Sequence, residues 1–192
     1  KRDPQIHCII YGSIWKSDLA AVVQMIDEFP NSLHLIYPHE LYDDNMQKIQ
    51  QEITGKSQSP NECKIISELP KQTSGIYIIN AMGRLKTDYA LASIAYIGGG
   101  FGVGVHNILE AACYYIPTVF GPNYKKSEEA KELISKELSF AIADGSEMES
   151  VIKKIKSSST AFQINRGLID YFKESNNATE VICQAIFEEE VI

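Results

Sequence analysis

The chain has 192 residues, 44% of them hydrophobic and 22% charged, the composition of a folded globular protein rather than a disordered or fibrous one. Its formal charge of −7 gives no general attraction for nucleic acid or an anionic bilayer, so any anionic ligand has to be held by local groups. No apolar run approaches the roughly 20 residues of a membrane span, and the polar start, Lys1 to Gln5, has no leader-like core behind it, so a soluble chain is expected. Cys8, Cys63, Cys113 and Cys183 are widely separated, without a CxxC pair or a histidine at ligand spacing; reduced core cysteines are expected, with neither a zinc site nor a disulfide framework.

Ile6 to Tyr11 predicts a buried strand stopped by Gly12-Ser13, with His7 inside it. Ser17 or Asp18 is placed to cap the following helix, whose apolar positions Leu19, Val22, Val23, Ile26 and Phe29 recur at helical spacing until Pro30. Leu33 to Tyr37, including His34, repeats the strand signal and stops at Pro38-His39, and a weakly amphipathic helix follows over Leu41 to Ile53. Asp43-Asp44 in that helix reads as solvated surface rather than a metal pair. After a loop over Thr54 to Glu62 come a brief strand at Lys64 to Ser67 and a stronger one at Ile76 to Asn80. Met82-Gly83 then leads into a short helical pattern through Tyr89, and Ile94 to Ile97 is a strand running straight into glycine. His106 to Tyr115 predicts a helix, Thr118 to Phe120 a strand, Ser127 to Ser135 a helix and Ser139 to Ala143 a last strand. Helical patterns fill most of Glu147 to Glu190, broken near Ser157 to Ser159, with core stripes at Val151, Ile152, Ile155 and at Leu168, Ile169, Phe172.

Strands alternating with helices across short turns imply an α/β fold, a doubly wound parallel sheet of Rossmann-like type in a single domain over residues 1–192. In such a fold the ligand site lies at the carboxyl ends of the strands near the switch in strand order, where Gly12-Ser13, Pro38-His39, Met82-Gly83 and the glycine loop are expected to converge.

The most informative segment is Gly98 to Ala112. Five glycines within Gly98 to Gly104 are costly in backbone entropy, and close approach of backbone to a ligand would justify them. Gly99, Gly100, Phe101 and Gly102 are therefore candidates to contact a phosphate or sugar, backed by the unpaired N–H groups of the predicted helix start. Glu110, about one turn in, suits a ribose diol, with Asn107 serving phosphate or backbone. Ser13 at the first strand's tip suits a phosphate or a sugar carboxylate, or equally a helix cap. The loop lacks the spacing of a dinucleotide fingerprint and the Gly-Lys-Ser/Thr of a P-loop, which argues against NAD and ATP. A tight connection with no ligand is the bland alternative.

Gly12-Ser13, Pro38-His39, Ala81-Met82-Gly83, Gly98-Gly99-Gly100, His106 to Ala112 and Phe120-Gly121-Pro122-Asn123 follow one another as in 3-deoxy-D-manno-octulosonic acid (Kdo) transferases. Over Ile6 to about Ile186 the chain resembles their carboxyl-terminal half, and Gly12-Ser13-Ile14-Trp15 with Tyr37-Pro38-His39-Glu40 resembles the Bacteroidetes-type version.

The resemblance implies one half of a GT-B glycosyltransferase, two Rossmann-like domains across a cleft, transferring Kdo from CMP-Kdo to lipid A precursor in lipopolysaccharide biosynthesis. It implies that CMP is held at Pro38 and His39, at Met82, Gly83 and Arg84, and at Asn107, Ile108, Leu109 and Glu110. It implies inversion without a metal or other cofactor, and a general base on an amino-terminal acceptor domain that precedes this segment. The fragment alone is then expected to bind the donor without turning it over, and the whole protein to work at the cytoplasmic face of the bacterial inner membrane. It also implies that the final helix crosses back to the other domain, leaving part of Val181 to Ile192 without its partner surface. His39 stands where many relatives have arginine, and Arg84 where many have glutamate, so Arg84 could restore a cation near the nucleotide. A UDP-sugar-dependent GT-B transferase or epimerase, and a non-enzymatic nucleotide-binding module, are the rival readings.

Overall fold

Short runs rich in isoleucine and tyrosine can be buried on both faces only in a sheet covered by helices on each side. The computed structural model of the chain, which describes residues 6–188 with side chains through residue 174, has that form. Its strands are β1 (Cys8–Ile14), β2 (Leu33–Pro38), β3 (Cys63–Ile66), β4 (Gly75–Ile79), β5 (Ile94–Ile97), β6 (Thr118–Phe120) and β7 (Ser139–Ala141). The helices are α1 (Leu19–Glu28), α2 (Asp43–Lys56), α3 (Leu85–Asp88), α4 (Leu109–Ala112), α5 (Glu128–Ser135), α6 (Gly145–Ile155) and α7 (Ser158–Glu188).

The strands form one sheet in the order β3-β4-β2-β1-β5-β6-β7, with every pairing parallel. The chain lays β2 beside β1, β3 at the edge and β4 between β3 and β2, then returns to place β5 against the other side of β1. The switch point therefore lies between β1 and β5, as the doubly wound expectation requires. Alternation along β1 divides the core. Ile9 and Tyr11 join the apolar cluster under α1, α2 and α6, whereas Cys8 and Ile10 join the one shared with α4, α5 and α7.

Several expectations need correction. β1 does not stop at Gly12-Ser13 but continues to Ile14, which is buried and pairs with Pro38 across a register shift, with Ser13 at φ 56°. His7 is exposed and precedes β1, its N–H donating to Ser93 Oγ. His34 is in β2 as expected, its ring nitrogens bonded to Tyr11 Oη at 2.8 Å and the Phe29 carbonyl at 2.9 Å. A carbonyl only accepts, so Nε2 carries the proton and Nδ1 accepts from Tyr11. Burial lowers the His34 pKa to about 4.

The predicted helix at His106 to Tyr115 contracts to the single turn of α4, because Asn107 turns the chain before it and Tyr115 leaves it with φ 61°. Neither Ser17 nor Asp18 caps α1 with its side chain. Cys113 is exposed, not core, at the solvent side just after α4, whereas burial pushes the Cys8 and Cys63 thiols up to about 12. Asp43 and Asp44 are exposed in the first turn of α2, where the helix dipole favours acids. Val151, Ile152, Ile155 and Leu168 are buried as the stripes predicted. The expectation for Val181 to Ile192, and Cys183 with it, lies outside the described residues and side chains. Among the described residues no helix is long and apolar enough to cross a membrane.

Candidate functional site

The turns after β1, β2, β4 and β5 meet at the carboxyl edge of the sheet because those four strands are neighbours. At the switch point, Gly98 N–H donates to the Gly12 carbonyl at 2.8 Å and starts the glycine loop alongside the end of β1. Two of the glycines have a reason within the protein itself. A Cβ on Gly98 would lie 2.2 Å from the Ser13 carbonyl oxygen, and one on Gly100 2.4 Å from the Gly121 nitrogen. These residues are small because the protein's own backbone crosses them. Hydrogen bonds from Asn123 N–H to Gly100 O and from Asn123 Nδ2 to Gly102 O then tie the loop to the Gly121-Pro122-Asn123 turn. The N–H groups of Gly100, Phe101, Asn107 and Ile108 have no acceptor among the described residues. The one-turn helix α4 is too short to add an appreciable dipole to them.

Asp18 anchors this loop. It is fully buried, and its carboxylate accepts from Trp15 N–H at 3.0 Å, Gly99 N–H at 2.9 Å and Tyr96 Oη at 3.1 Å. Burial and the adjacent Asp18 raise the Tyr96 pKa, keeping its hydroxyl a donor. Sequence spacing offered Ser17 or Asp18 as a helix cap; Asp18 does accept from Trp15 N–H at the short turn before α1, but its bond to Gly99 spans 81 residues, a pairing that local pattern cannot reveal.

Trp15 and His106, neither assigned to the site from sequence, meet here. Trp15 Nε1–H donates to His106 Nε2 at 2.8 Å, and the two rings are parallel within 1°. Burial, and then the neighbouring His39 ring, lower the His106 pKa, which favours the neutral form that can accept this bond. His39 stacks on both rings, with centroids 4.2 Å from Trp15 and 4.7 Å from His106. The available signal was the chain's only tryptophan, placed just beyond a strand-end glycine.

His39, Pro38, Tyr42, Ala81, Met82 and Gly83 line an open cavity of about 420 Å³. The Pro38-His39 and Met82-Gly83 turns, expected from sequence to share a site, line the same cavity. Met82 is 88% exposed on its rim, an unusual position for that side chain. Arg84 leans away, its Nε 2.9 Å from Asp88 Oδ2, which also accepts from Tyr37 Oη at 2.6 Å. This pairing holds Arg84 above its ordinary pKa, while burial, then the bond to Asp88, raises Tyr37.

On the glycine-loop side, Asn107 Oδ1 accepts from Leu109 N–H at 3.1 Å, and its Nδ2 lies 3.4 Å from Glu110 Oε1. Of the two roles considered for Asn107, it performs the backbone one. Ile108 is buried, so only its backbone can face a ligand, and the half-buried Leu109 packs against the core. Phe101 packs against the other core cluster, leaving Gly102 exposed. Ser13 serves no cap, and its hydroxyl has no partner among the described residues.

The sheet order, with its switch point between β1 and β5, defines a Rossmann-like domain. No family model matches the chain. Among proteins of known activity, it is similar to the 3-deoxy-D-manno-octulosonic acid transferase of Rickettsia typhi, 30% identical over 99 residues, 51% of this chain and 21% of that protein. The same enzyme from Rickettsia bellii is 32% identical over 106 residues, 55% of this chain and 24% of that protein. The matched segment thus spans about a fifth to a quarter of these relatives. The fold matches the crystal structure of the C-terminal CMP-Kdo binding domain of WaaA from Acinetobacter baumannii, with a TM-score of 0.65 and 18% identity, covering 85% of this chain and 89% of that one.

Proposed function

We propose that this chain is the donor-binding half of a Kdo transferase and holds CMP-Kdo across the carboxyl edge of its sheet. The observation that carries the reading is the shared cavity of the Pro38-His39 and Met82-Gly83 turns, on the same sheet edge as a loop whose N–H groups are free to donate to an anion. In this reading the cytidine side of the donor occupies that cavity, Glu110 accepts from the ribose hydroxyls, and the phosphate meets the amides of Gly100, Phe101, Asn107 and Ile108. Arg84 contributes its outer guanidinium nitrogen, since only Nε is closely engaged by Asp88. Ser13 and Gly102 flank the sugar.

Departure of CMP leaves growing negative charge on its phosphate as the sugar develops oxocarbenium character. Fixed N–H donors already aimed at that position stabilise the change without reorganising. As the resemblance to Kdo transferases implies, the acceptor, a lipid A precursor, and the base that activates its hydroxyl belong to an acceptor domain outside this segment, and transfer is inverting, needs no metal and takes place at the inner membrane's cytoplasmic face.

Calorimetric titration of this chain with CMP and with UMP tests the assignment. Binding of CMP in preference to UMP, without release of Kdo from CMP-Kdo, is the expected result. Absence of CMP binding would sink the donor role, and a preference for UMP would move the chain to the UDP-sugar enzymes.

A further inference from the structure

We infer that the open face of His39 is the stacking surface for the donor's nucleobase, and that Trp15 and His106 are positioning residues that hold its plane. The inference rests on the donor-binding reading and specifies how the base is recognised. Trp15 and His106 are joined edge to edge by one hydrogen bond and parallel within 1°, so together they make a flat two-ring platform. His39 covers that platform, tilted 24° from Trp15 and 23° from His106. One face of the imidazole is thus taken up by aromatic surface.

The other face is available. His39 is an exposed residue, it lines the 420 Å³ cavity, and its ring nitrogens have no partner among the described residues. The three rings are carried by the end of β1, the end of β2 and the segment after the glycine loop. Neighbouring strands and the Asp18 clasp therefore fix the platform before any ligand arrives. A flat, exposed ring that is stacked on two others and also lines a cavity suits a planar heteroaromatic ligand. Stacking a base on such a ring is worth about 1–3 kcal/mol, or roughly 5- to 150-fold in affinity.

An alternative role for His39, an N–H donated to phosphate, makes the opposite demand on the side chain. CMP titrations, followed by calorimetry and by the fluorescence of Trp15, separate the two in His39→Ala, His39→Phe and His39→Lys. Stacking requires Ala to weaken CMP binding about 5- to 150-fold, Phe to stay within about threefold of the original chain, and Lys to be as weak as Ala. His106→Ala, which removes half the platform, weakens CMP unless Phe at position 39 compensates. The inference is overturned if Ala binds CMP as well as the original chain, or if Lys rescues as well as or better than Phe. If the unmodified chain fails to bind CMP at all, the donor reading itself is lost, which is a separate outcome.

Discussion

Removing the Asp18 carboxylate tests how the glycine loop is held. Its three donors, Trp15 N–H, Gly99 N–H and Tyr96 Oη, converge on a side chain with no solvent exposure. In Asp18→Ala those donors lose their acceptor, and each unsatisfied group costs about 1–3 kcal/mol, offset in part because a carboxylate is no longer desolvated. The expected net loss is about 3–5 kcal/mol, a third or more of a typical domain's stability. Asp18→Asn keeps one acceptor oxygen for the two amides, and Tyr96 can turn its hydroxyl to accept, so only the charge is lost. Its expected cost is about 1–2 kcal/mol. Urea unfolding followed through Trp15 measures both, and CMP titration reports whether the released loop still binds. A loss below about 1 kcal/mol for Asp18→Ala, or equal losses for the two variants, would show that the loop is not held by this hydrogen-bond count.

Three other outcomes follow from the geometry. His34 has a folded pKa of about 4 against about 6.5 in the unfolded chain. The unfolded state therefore binds the proton first: the contribution is complete above about pH 6.5 and falls away toward pH 4, by about 3 kcal/mol. Urea midpoints of the original chain should drop over that range more steeply than those of His34→Gln; parallel profiles would remove His34 as the cause. Arg84→Ala leaves buried Asp88 with Tyr37 alone, so a lower urea midpoint is expected together with weaker CMP binding. Unchanged CMP affinity would take Arg84 out of the site. Glu110→Ala should weaken CMP about tenfold or more while sparing an analogue without ribose hydroxyls, as expected for hydrogen bonds to a charged acceptor; equal losses for both ligands would refute the diol role.

The fold was legible in the residues because its signals are local. Runs such as Ile94 to Ile97 can be buried on both faces only as interior strands, and their alternation with helical stripes leaves few arrangements besides a doubly wound sheet. The Pro38-His39 and Met82-Gly83 turns could be assigned to one edge for the same reason, since each simply ends a strand. Short-range rules also misled. Pattern extended α4 over ten residues, from His106 to Tyr115, but Asn107 and the positive φ of Tyr115 confine it to four. Nor does local pattern show that Gly98 and Gly100 lie against the backbone of Ser13 and Gly121.

Identity and periodicity along the chain thus carried the architecture and the location of the cleft. The partners of Asp18, the joining of Trp15 to His106 and the placement of His39 over both became visible only once β1, β2 and β5 lay side by side. Those contacts join residues up to 91 positions apart. Their geometry is set by strand order and by the packing of backbone on backbone, which no periodicity of side chains encodes.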